Sequence, residues 1–194
     1  MKLLKTKEMI LCGLFAALMA VGANVSPFFT IGGVPITLQL MFAILAGGIL
    51  GSRLGAIAMS VYMFIGLAGA PVFAQFKGGP AQLLSPTFGF IVSFIIVAYI
   101  CGKLIGDKVD VSKGTYVLTG VLSIFFNYII GTNFMFVALK VWAEAPEGFN
   151  YAMAWVWMAA YLPLDIVVTI VSLSIVPRLS KAINRVYSTQ EVVN

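Results

Sequence analysis

Histidine is absent from all 194 residues. That excludes Ser–His and Cys–His nucleophilic pairs, histidine-ligated metals and imidazole proton relays. Cysteine is nearly absent. Cys12 and Cys101 stand far apart, form no Cys-x-x-Cys pair, and read as free thiols used as small apolar side chains. Charge is scarce as well. Asp, Glu, Lys and Arg make up 10% of the chain, against about 25% in soluble domains. The basic residues flank apolar runs and form no face interleaved with aromatics, so nucleic acid is not an expected partner.

What is present is apolar: 61% of residues are hydrophobic and the mean hydropathy is +1.03. A membrane span needs roughly 20 apolar residues. The pattern predicts an all-α, polytopic membrane protein, a six-helix bundle forming a single integral domain over 1–194. The expected spans are 8–25, 36–50, 55–69, 85–105, 115–141 and 152–176, the fifth long enough to tilt or to break near Gly131. The basic segment 1–8 feeds the first run without a small-x-small cleavage site, so a retained first helix is expected.

Positive charge orients these spans. Lys2, Lys5, Lys7, Arg53, Lys103, Lys108, Lys113, Arg178, Lys181 and Arg185 fall on one side; Lys77 and Lys140 fall on the other. Both termini are therefore expected on the cytoplasmic face. The opposite loops are rich in Gly, Pro and Phe, and apolar loops gain free energy by packing onto a bundle. Residues Phe28, Phe29, Gly32, Gly33, Val34 and Pro35 read either as a gating loop over a site or as an interfacial aromatic belt.

Asp165 is the one ionisable side chain well inside an apolar run. A carboxylate at bilayer depth costs several kcal/mol, by order of magnitude, without a partner or water. It is expected to face the interior, either lining a site for a ligand with N–H or O–H donors or clamping a neighbouring helix. Thr37, Gln39, Gln82, Ser85, Thr87, Asn127, Thr132 and Asn133 are further candidates for a polar lining, with Tyr62, Tyr128, Trp155, Trp157 and Tyr161 for its walls. In the first span, Ala16-x-x-x-Ala20 and Gly13-x-x-x-Ala17 put small side chains one turn apart, for packing within the bundle or for docking a partner helix.

Several stretches carry a family resemblance. They are Val34-Pro35-Ile36-Thr37-Leu38-Gln39, Leu50-Gly51-Ser52-Arg53-Leu54-Gly55-Ala56, Gly66-Leu67-Ala68-Gly69-Ala70-Pro71-Val72-Phe73-Ala74, Ser85-Pro86-Thr87-Phe88-Gly89-Phe90 and Tyr161-Leu162-Pro163-Leu164-Asp165. In order and spacing they resemble the BioY family, the biotin-specific substrate-binding (S) components of energy-coupling factor (ECF) transporters. The resemblance implies a non-catalytic, multi-pass protein of the bacterial cell membrane, surrounded by lipid. It would need no cofactor, bind biotin as substrate under the first outer loop, and pair with a transmembrane T component and two ATPase subunits. No Gly-x-x-x-x-Gly-Lys-Ser/Thr motif occurs in the chain itself. The expected substrate-binding set, read from the polar and aromatic residues of the spans, is Asp165, Gln39, Thr37, Thr87, Asn127 and Tyr161, and the partner-docking pair that the resemblance implies is Ala16 and Ala20.

The chain departs from the family's Pro-Gly-Asp-x-x-Lys motif, reading Pro163-Leu164-Asp165-Ile166-Val167-Val168. The aspartate suits ureido N–H groups through charge-assisted hydrogen bonds. The lysine's contribution does not transfer to Val168. Lipoate or another small carboxylate is the competing ligand, and a stand-alone carrier or channel the competing class. A carrier driven by protons usually has more intramembrane ionisable groups than one aspartate.

Overall fold

The structure, a computed structural model, describes residues 4–25, 30–31, 34–106, 108 and 111–191, with side chains for all but 30–31, 34–35 and 182–191. Among the described residues six α-helices carry the fold: α1 (Thr6–Asn24), α2 (Gln39–Leu67), α3 (Phe88–Leu104), α4 (Lys113–Val141), α5 (Tyr151–Ala159) and α6 (Leu162–Glu191). A two-residue strand pair, β1 (Thr30–Ile31) with β2 (Val34–Pro35), lies between α1 and α2. Among the described residues four helical stretches are long and apolar enough to cross a membrane: Thr6–Asn24, Gln39–Leu67, Lys113–Val141 and Leu162–Lys181. Helix α3 is apolar but only 17 residues long.

This differs from six separate spans in two places. Runs 36–50 and 55–69 join in α2, which reverses direction at Gly51. There φ is 80°, a left-handed conformation that glycine adopts without Cβ strain. In a straight helix Gln39 and Tyr62 would stand roughly 34 Å apart. Instead the Gln39 amide donates to the Tyr62 hydroxyl at 3.0 Å. Where the arms cross, a Cβ added to Gly55 would lie 2.8 Å from the Gly47 Cα. Two facing glycines thus allow backbone to meet backbone.

The second difference is the division of run 152–176 into α5 and α6. Pro163, second residue of α6, has no N–H to give, and its ring would strike the carbonyl four residues back, that of Ala159. Helix α5 ends at Ala159. By contrast, α4 runs through Gly131 unbroken.

Two apolar clusters form. The larger joins α1, both arms of α2 and α3, with Met19, Ile44, Met59, Tyr62 and Val97 fully buried. The smaller joins α4 and α5 around Tyr128, Met135, Phe149 and Met158. Helix faces turned away from both expose Ile10, Leu14, Val117, Val121, Phe125, Val167 and Ile170, a surface suited to acyl chains. Both cysteines are buried free thiols.

The α2 crossing has a measurable consequence. Gly55→Ala should destabilise the protein by about 1–3 kcal/mol, because backbone on each side must shift. A lowered thermal midpoint in detergent reads this. Gly13→Ala, where nothing lies within 4 Å of the added carbon, should leave the midpoint unchanged or raise it, since alanine favours a helix interior over glycine by about 0.5–1 kcal/mol. Equal midpoints for the two variants would contradict the close approach.

Candidate functional site

The break at Pro163 determines where Asp165 sits. It starts α6 afresh, so Asp165 falls in the first turn, where unpaired N–H groups and the helix dipole favour a carboxylate. Its own N–H donates to the Tyr161 carbonyl at 3.0 Å. From α4, the Tyr128 hydroxyl donates to Asp165 Oδ2 at 2.8 Å. The carboxylate thus faces the bundle, while Ile166 and Val167 beside it are exposed.

A cavity of about 600 Å³ opens at the seam between the two apolar clusters. Thr37, Gln39, Thr87, Asn127, Tyr161 and Asp165 all line it, as do Gln82, Ser85, Tyr128 and Trp157. Phe73, Phe88, Phe90, Phe94, Met135 and Met158 supply apolar wall. The structure therefore gathers around one space six residues drawn from the start of α2, the approach to α3, the middle of α4 and the α5–α6 junction.

Hydrogen-bond bookkeeping shows which polar atoms this space receives. Tyr62 has one hydroxyl proton and gives it to the Val72 carbonyl at 3.1 Å. Gln39 must then donate to Tyr62 through Nε2, which leaves Oε1 as a free acceptor. The Ser93 hydroxyl lies 2.7 Å from the Phe90 carbonyl and 2.8 Å from the Asn127 amide, so one end of that amide is engaged and the other is left open. Asp165 Oδ1 is the third free group. Among the described residues only the Thr132 and Thr169 hydroxyls are both buried and unpartnered. The free atoms of Gln39, Asn127 and Asp165 are therefore accessible, and the cavity is where these residues meet open space. Ser85 and Thr87 bond to each other at 3.0 Å on the same wall.

Other expectations need correction. Thr132 is buried without a partner and Asn133 bonds to the Ile129 carbonyl and to Tyr151, so neither is on the cavity wall. Tyr62 stands behind the wall as support for Gln39, and Trp155 packs edge-on to Tyr151 away from it. Ala16, expected to dock a partner, is 4% exposed inside the chain's own core, and Ala20 packs against the same core. The outward face of α1 carries Gly13 and Ala17 instead. The reversal of roles arises because Ala16 sits on the same helix face as Cys12, Met19 and Ala23, which α2 covers. Of the expected gating loop, Phe28, Phe29, Gly32 and Gly33 lie outside the described residues. Val34 and Pro35 pair with Ile31 and Thr30.

Two charged lining residues escaped sequence reasoning as site candidates: Lys77 and Glu144. Each is an ordinary loop charge in the sequence, and only the packing of the loops after α2 and α4 brings them to one cavity.

Comparison with known proteins agrees with this architecture. Over 185 residues, 94% of this chain and 92% of the relative, the chain is 39% identical to a Bacillus subtilis (strain 168) protein named "Putative biotin transporter BioYB". It is 38% identical over 125 residues to "Biotin transporter BioY" of Thermotoga maritima, covering 64% of this chain and 72% of that one. The fold matches the solved S-component for biotin from an ECF-type ABC transporter with a TM-score of 0.74 and 22% identity, covering 92% and 95% of the two chains. The BioY family model matches residues 1–185. This is an all-α, multi-pass membrane protein of the ECF S-component fold, and the chain belongs to the BioY family.

Proposed function

We propose that the chain captures biotin for uptake as the non-catalytic substrate-binding subunit of an ECF transporter. One observation carries this: in a BioY-family chain, two free acceptors, Asp165 Oδ1 and Gln39 Oε1, meet the same largely apolar cavity of about 600 Å³. A ureido ring offers two N–H donors to such acceptors, and a thioether ring and aliphatic tail suit the Phe, Met and Trp walls. Val168, 8% exposed, puts no charge where the family motif has lysine. Lipoate would fit the apolar part but brings no N–H group. It would leave both acceptors desolvated and unpaired, a cost of about 1–3 kcal/mol for each neutral group.

The two arms of α2, α1, α3, α4 and the α5–α6 pair are read as six passes, the α2 arms being short at roughly 18 and 24 Å. The ten-to-two placement of Lys and Arg then puts both termini in the cytoplasm and the cavity toward the outside. Phe28, Phe29, Gly32, Gly33, Val34 and Pro35 act as the gate. A T component and two ATPases supply the energy for release. A stand-alone carrier is the weaker reading, since the described interior holds one ionisable side chain, Asp165, within an apolar span.

Binding measured by isothermal titration on the purified chain tests the reading. Asp165→Ala should lose a charge-assisted hydrogen bond worth roughly 1.5–3 kcal/mol, weakening biotin binding roughly tenfold to a hundredfold. Unchanged affinity would remove Asp165 from the site. Tyr128→Phe leaves the carboxylate in place but takes away the hydroxyl that holds it. A smaller loss is expected there, about 0.5–1.5 kcal/mol, and a loss equal to that of Asp165→Ala would mean that Tyr128 itself touches the ligand.

A further inference from the structure

Three ionisable carboxyl or ammonium side chains line the cavity: Asp165, Glu144 and Lys77. Lys77 is the cation among the described lining residues, and it does not stand on a loose loop. Its carbonyl accepts the Phe73 N–H at 2.9 Å, closing a tight turn in which Gln75 and Phe76 take left-handed φ values of 63° and 55°. The turn is fastened on two sides. Asn24, at the end of α1, accepts the Phe76 N–H at 2.8 Å. Phe73 is 3% exposed and meets the Tyr62 ring edge-on at 5.4 Å, while the Tyr62 hydroxyl holds Val72. Gly79 N–H bonds back to the Gly66 carbonyl at 2.7 Å. Among the described residues no carboxylate lies within ion-pair distance of the Lys77 ammonium, Glu144 and Asp165 included.

An unpaired ammonium carried by a fastened turn, on the wall of a cavity whose polar acceptors serve N–H groups, has a definite use. We propose that Lys77 is the anion subsite of this cavity, taking the carboxylate of a ligand whose N–H groups go to Asp165 and Gln39. The assignment rests on the reading of the cavity as a biotin site and deepens it. The matching ligand class is a small monocarboxylic acid with N–H donors at its other end. Glu144, the other loop charge on this wall, opposes a second carboxylate and so disfavours dianions. Because Lys77 is exposed, its attraction for the ligand is screened by salt.

The test compares biotin with biotinamide, which keeps the rings and tail but has no negative charge. Both are titrated into the purified full chain, wild type and Lys77→Gln, at low and high salt. The wild type should prefer the acid by about tenfold, with the preference shrinking as salt rises. Lys77→Gln should weaken the acid by about that factor and leave the amide unchanged, abolishing the preference, and Lys77→Arg should restore most of it. An undiminished preference in Lys77→Gln overturns the proposal. So does a wild type that binds both ligands equally, or a variant that weakens both alike, which would mark Lys77 as a support of the turn. Failure of the wild type to bind either ligand would instead refute the biotin reading, and the Lys77 assignment would fall with it.

Discussion

The hydrogen bond from Tyr128 to Asp165 joins the two halves of this molecule's logic. A carboxylate in an apolar helix is tolerated only where the bundle gives it a partner or water. Tyr128 takes one oxygen, and the other is left to an open cavity. The carboxylate is thereby held without being fully satisfied. A group in that state gains most from a ligand that brings N–H donors, because the ligand restores what was lost when water left.

Everything around that pair serves to keep it open on one side and closed on the other. Pro163 ends α5 and restarts α6, turning Asp165 to a helix N-terminus. The α2 reversal at Gly51 sets Gln39 against Tyr62, so a glutamine near one end of the helix is oriented by a tyrosine near the other. The same Tyr62 hydroxyl reaches Val72 and steadies the turn bearing Lys77. Packing of the α2 arms, orientation of the Gln39 acceptor and shape of the outer loop therefore share one residue. A fault at the arm crossing would be felt at the ligand.

Much of this was legible beforehand, and the reasons are physical. A charge within an apolar run has few tolerable directions, so Asp165 could be expected inside. Hydropathy located α1, α3 and α4 to within a few residues, whereas the run 152–176 spans both α5 and α6, and α6 continues to Glu191. Hydropathy could not tell a span from half a hairpin, because Gly51-Ser52-Arg53 reads as a loop whereas only Gly51 leaves the helical conformation. Pro163 was visible but lay in a run so apolar that periodicity hid the break. Which small residues of α1 face outward was hidden for a different reason: Ala16 and Ala17 are equivalent by composition, and only contact with α2 decides which one faces in. Lys77 and Glu144 were invisible as site residues, since their meeting depends on loops folding over a seam between α2, α3 and α4 that no local pattern encodes.

The central claim is that a held but unsatisfied carboxylate makes this cavity a receptor for a vitamin with N–H groups. The most direct measurement is mass spectrometry of the small molecule that co-purifies with the chain from cells supplied with both biotin and lipoate. Biotin, in near-stoichiometric amount and without lipoate, is the predicted result. Lipoate in its place, or a stably folded chain that retains neither, would contradict the account.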